Sequence, residues 1–126
     1  MRAADTNVVV RLVTRDDPAQ VVRAEAFVQR GVWLSHVVLA EVAWVLSSSY
    51  KFSAAAIADA VDLILRNPGV AVEDLELVRA ALETFREKPA TSFADCLILE
   101  IARKAGHLPL GTFDRPLGKL DGAELI

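Results

Sequence analysis

The stretch Val32-Trp-Leu-Ser-His-Val-Val-Leu-Ala-Glu-Val-Ala-Trp-Val-Leu46 (VWLSHVVLAEVAWVL) decides how the rest of the chain is read. Val32–Leu34 is a short apolar run, Ser35 is a helix-capping residue, and Val37–Leu46 carries a single charge, Glu41. A strand that feeds into a capped helix is the repeating unit of parallel sheets. Glu41 also raises a question of function, because its neighbours look like the inside of a protein.

The same punctuation recurs on both sides. Toward the N-terminus, Arg2–Asp5 is a predicted strand and Asn7–Thr14 a helix that Thr6 can cap. Asp17-Pro18 opens a second helix and Gly31 lies past its end. Toward the C-terminus, Ser53 opens a helix with Ile57, Val61, Ile64 and Leu65 on one face, and Asn67-Pro68-Gly69 stops it. Val70–Val72 reads as a third strand. Leu75–Phe85 and Phe93–Ala105 are helical by period, the latter ending at Gly106. Leu108–Thr112 is a fourth strand and Ala123–Ile126 a fifth. Strands alternating with helices predict an α/β fold, with helices on both faces of a central parallel sheet of four to five strands. Right-handed crossovers put every strand's C-terminal end on one edge, where such sheets bind ligands.

Length and composition set the frame. At 126 residues, 53% hydrophobic and 25% charged, the chain is globular and of a size for one domain, 1–126. Apolar runs such as Val42–Leu46 fall far short of a membrane span. The opening MRAADTN has no basic-then-apolar signal pattern. The one cysteine, Cys96, lies in an apolar stretch and excludes an internal disulfide, which suits a reducing, cytoplasmic setting. The net charge of −3 gives no direct sign of a polyanionic partner.

Four carboxylates break the hydrophobic pattern around them. Asp5 ends the first strand, Glu41 interrupts its helix, Asp95 sits between Phe93-Ala94 and Cys96-Leu-Ile-Leu99, and Asp114 ends the fourth strand. Singly, three have ordinary explanations: Asp5 as a turn residue, Asp95 in a Ser92-x-x-Asp95 capping box, and Asp114 as a turn opening. Glu41 has the weakest one, since a surface face for it would also expose Val37, Val38 or Val45. If all four converged at ~5 Å, each pair would repel by roughly 3 kcal/mol at an effective dielectric of ~20. A hard divalent cation, Mg²⁺ or Mn²⁺, would remove that repulsion. Removing four negative charges from −3 leaves +1 for the rest of the chain, so the acidic total is compatible with a phosphate-bearing substrate.

Asp5-Thr6-Asn7, Ser35-x₅-Glu41, Phe93-Ala94-Asp95 and Thr112-Phe113-Asp114-Arg115 together resemble the PIN domain, and within it the VapC toxins of toxin–antitoxin modules. The resemblance runs from the first strand to Leu125-Ile126. It implies an α/β/α sandwich with strand order 3-2-1-4-5 and Mg²⁺- or Mn²⁺-dependent endoribonuclease activity leaving 5′-phosphate and 3′-hydroxyl ends. Asp5 and Asp95 would be direct metal ligands. Glu41 and Asp114 would bind through water, hold a second ion or orient the nucleophile. Asn7 and Thr112 would hydrogen-bond the carboxylates or metal-bound waters. A homodimer and a cognate antitoxin are the implied partners, and the apolar surplus on Val37–Leu46 and Ala54–Leu65 is compatible with such interfaces.

For the RNA itself, Arg115 and Lys119 close behind Asp114 are the candidate phosphate contacts, with Lys51, Arg86 and Lys88 in or near loops. His36 and His107 have no metal-ligand or triad spacing, and Trp33 and Trp44 read as core or dimer packing rather than stacking platforms. Two rivals remain. A phosphatase using Asp5 as nucleophile wants a second Asp where Asn7 stands. A non-catalytic RNA- or protein-binding domain would use the four acids only as structural caps.

Overall fold

The computed structural model describes all residues 1–126, and the chain divides into two compact units, Met1–Leu75 and Glu76–Ile126. The first contains β1 (Arg2–Ala3), α1 (Thr6–Thr14), α2 (Pro18–Gln29), β2 (Val32–Leu34), α3 (His36–Ser48), α4 (Ala54–Arg66) and β3 (Val70–Val72). Its strands form one parallel ladder in the order β1-β2-β3, with Ala3 opposite Trp33 and Leu34 opposite Val72. Parallel pairing sends all three C-terminal ends to one edge, so Asp5, Ser35 and Glu73 follow the strands there. Leu34, Leu39 and Leu46 are fully enclosed. Burial of a side chain of this size contributes about 1.5–3 kcal/mol each. α1 packs on α2 and α3, α3 on α4, and α4 on β3. At the entry to β3, Gly69 allows a close backbone approach: a Cβ there would stand 2.5 Å from the Val28 carbonyl oxygen of α2.

The second unit holds most of α5 (Leu75–Glu87), then α6 (Phe93–Ala105), β4 (Leu110–Thr112), α7 (Arg115–Gly118) and β5 (Ala123–Leu125). β4 and β5 pair in parallel, with Thr112 opposite Leu125. Phe85 of α5 and Phe93 of α6 meet edge to face at 6.0 Å and are both buried.

The parallel α/β architecture holds, with a narrower sheet than four to five strands: the five strands form ladders of three and two. The first strand is the reason on its own side. It has two residues, both with exposed side chains, and by Asp5 the chain has already turned into the cap of α1. Three local expectations change in the same way. β1 stops at Ala3 instead of Asp5, and β4 starts at Leu110 instead of Leu108, since Pro109 has no N–H to give a ladder. α7, absent from the expected elements, follows Asp114, whose carboxylate accepts from the Leu117 N–H at 2.9 Å.

Candidate functional site

In the first unit the site is built on two helix starts. The exposed Asp5, not Thr6, is the N-cap of α1, and its Oδ1 accepts from the Val8 N–H at 3.3 Å. The macrodipole and open N–H groups of a helix start favour a negative charge at that position. Thr6 is released for a different task. It is buried, and its hydroxyl donates to Oε1 of Glu41, 35 residues further on. This bond ties the acid of α3 to the residue beside Asp5. Asn7 follows on the exposed side of the first turn.

Glu41 itself is on the exposed face of α3, which corrects the impression of an interior setting. Val37, one turn before it, is 76% exposed, and Trp44, one turn after it, is 67% exposed. Trp44 is therefore not core, and Trp33 is itself partly exposed. The N-terminus of α3 is doubly held. The Ser35 hydroxyl accepts from the Val38 N–H at 3.2 Å, and Oε1 of Glu73, just past β3, accepts from the His36 N–H at 3.0 Å. The His36 ring sits beside the same carboxylate, with its Nδ1 buried and without a partner. Neither Thr6 nor Glu73 was marked as a site residue by the sequence. Thr6 carried a signal in the Asp-Thr-Asn run; Glu73 carried none.

In the second unit Asp95 lies in the first turn of α6, half-buried, with its N–H donated to the Ser92 cap at 3.1 Å. Cys96 next to it is buried, and its thiol is pushed up to about 12, first by burial and then by the charges of Asp95 and Glu100. It is held as an unreactive thiol. Thr112 ends β4, its hydroxyl accepts from the Asp114 N–H at 3.0 Å, and Asp114 caps α7. Arg115 and Lys119 are exposed on and after that short helix. Lys119 shares a pocket of about 360 Å³ with Lys88, Thr91 and Pro116.

The acids thus lie two in each unit, and no group of three or more His, Cys, Asp or Glu side chains stands close enough to hold a metal ion. The donor chemistry nonetheless fits a hard cation. All four are carboxylates, three of them exposed, and Mg²⁺ or Mn²⁺ prefers oxygen ligands with retained waters.

Short parallel strands, with Asp5 and Asp114 capping the helices that follow β1 and β4 and Glu41 on the helix that follows β2, define an α/β fold with carboxylates just past its strand ends. The PIN domain family model matches residues 3–123, and the chain belongs to that family, whose fold is generally that of a nuclease. No curated protein and no solved structure shows significant similarity to the chain. No helix is long and apolar enough to cross a membrane.

Proposed function

We propose that this PIN domain, residues 1–126, is a Mg²⁺- or Mn²⁺-dependent endoribonuclease that hydrolyses RNA phosphodiester bonds. It acts as the toxin of a toxin–antitoxin pair in the cytoplasm, works as a homodimer, and is silenced by a cognate antitoxin. The observation that carries the reading is the Thr6–Glu41 hydrogen bond. It joins the acid of α3 to the start of α1, where Asp5 stands, so two family acids far apart in sequence are held to one edge.

In this reading Asp5 and Asp95 would hold the cation directly, and Glu41 and Asp114 would act through its waters or orient the nucleophile. Bound there, the cation supplies Lewis-acid charge for the phosphate and lowers the pKa of a water to near neutrality. The chain's own contribution is placement. The α1 cap fixes Asp5, the Thr6 hydroxyl orients Glu41, the Ser92 cap sets the turn carrying Asp95, and Thr112 holds the backbone of Asp114. Asn7 is within the same first turn as Asp5 and is suited to hydrogen-bond a metal-bound water.

The exposed apolar face of α3 supports the partner part of the reading. Val37 and Trp44 flank Glu41, so a protein surface seated on them would cover the acid. The first unit also contains a largely apolar cavity of about 540 Å³ whose lining includes Val9, Leu12, Phe52 and Leu63.

Calorimetric titration with Mn²⁺ tests the core of this proposal. Wild-type protein is expected to bind the ion, Asp5→Asn or Asp95→Asn to abolish binding, and the same variants to stop RNA hydrolysis. The capping roles of Asp5 and Asp114 favour the second reading, a non-catalytic binding domain. That reading wins if neither substitution changes the titration.

A further inference from the structure

Beside Asp5, between α1 and α2, opens a pocket of about 340 Å³ lined by Asp5, Asn7, Arg11, Gln20, Arg23 and Phe27 among others. Its volume is at the lower end of the roughly 300–1,000 Å³ range of small-ligand sites, about one nucleotide in size. Two of its cations are differently placed. Arg11 is committed, donating to Gln20 at 2.6 Å and pairing with Asp16 at 3.3 Å. Arg23 is exposed and in no ion pair. Just outside that lining, the Arg2 guanidinium lies 3.7 Å from the centroid of the Phe27 ring, and its NH2 donates to the Phe27 carbonyl at 3.4 Å. Arg2 is exposed and Phe27 half-buried, and RNA-binding proteins stack unpaired bases on guanidinium groups and aromatic rings.

We propose that this pocket is a nucleotide subsite for single-stranded RNA, with Arg23 on a phosphate and the Arg2–Phe27 stack under a base. It rests on the nuclease reading and names where the strand lies next to Asp5. Three requirements of a strand meet here. There is a cation in no ion pair for the backbone, the paired Arg2 and Phe27 side chains for a base, and amide groups, on Asn7 and the NH2 of Gln20, for base or sugar edges. The opening onto Asp5 places a neighbouring phosphate at the proposed metal site.

The test is fluorescence anisotropy with a short, unstructured, fluorescein-labelled RNA, on an Asp95→Asn background so that nothing is cut. Arg23→Ala and Arg2→Ala are each expected to weaken binding at least about fivefold. Arg23→Ala should also reduce the slope of log affinity against log salt by about one phosphate contact. Arg2→Lys keeps the charge but loses the plane, so it should weaken binding with the slope unchanged. On the wild-type background the same changes should raise KM more than they lower kcat. Phe27→Leu, with melting followed by circular dichroism, separates loss of the stack from loss of fold. If the parent binds RNA and Arg23→Ala and Arg2→Ala stay within about twofold of it, the subsite is wrong while the nuclease stands. The same holds if only Arg115→Ala and Lys119→Ala reduce binding. If the parent neither binds RNA nor, with Asp95 restored, cuts it, the nuclease reading falls and the subsite with it.

Discussion

Glu41 shows how far a single residue can be understood from its neighbours in sequence. Its apolar flanks read as interior, yet on a helix the residues four before and three after share its face, and here both are exposed. What the sequence did carry was the anomaly itself, a lone charge in a ten-residue apolar run. Its partner Thr6 was hidden because a hydrogen bond across 35 positions has no local signature. Glu41→Gln removes the charge but leaves an amide oxygen to accept from Thr6. Metal-free protein carrying it is therefore expected to melt at or above the wild-type temperature, and the same variant assayed with Mn²⁺ to lose the proposed RNA hydrolysis. A fall of several degrees would make Glu41 a structural residue instead.

Helices were largely readable because their caps are local chemistry. Ser35, Ser53, Ser92 and Asp17 each accept from the N–H three residues on, as their positions before apolar runs indicated. α1 is the exception: Asp5 took the cap and Thr6 turned to Glu41. α7 was missed although Asp114-Arg-Pro116 is the N-cap and first-turn proline signal, because the same residues spell a turn. α6 has a consequence for alkaline stability. Its buried face holds the Cys96 thiol at about 12, against 9.0 for an unperturbed one. Between those values the unfolded chain has lost a proton that the folded one keeps. Stability from this group is complete below about pH 9 and declines as pH rises toward about 12. Urea midpoints at about pH 8 and about pH 10 should therefore fall more for wild type than for Cys96→Ala. Equal falls would show that the thiol does not contribute.

At the scale of the whole molecule, alternation of strands and helices was enough to give the α/β class, which periodicity and punctuation encode directly. Ladder width was not, because pairing between strands distant in sequence depends on strand length and exposure, and Arg2–Ala3 is too short to advertise either. Assembly is the other property of this scale. If the α3 face is covered by a partner copy, the double substitution Val37→Ser, Trp44→Ser should shift the mass in light scattering from dimer to monomer. The melting temperature of the monomer should hardly change, since neither side chain is in the core. An unchanged mass for a dimeric protein would place the interface elsewhere.

The tight packing at Gly69 reaches further than its own loop. A single methyl group at that position would collide with a peptide oxygen of α2, and relief would require the helix to back away. That helix ends in the turn bearing Phe27 and, one turn earlier, Arg23. Drift at residue 69 would thus be felt by the pocket between α1 and α2 without altering any residue that lines it, so a position outside that lining still helps to set its width.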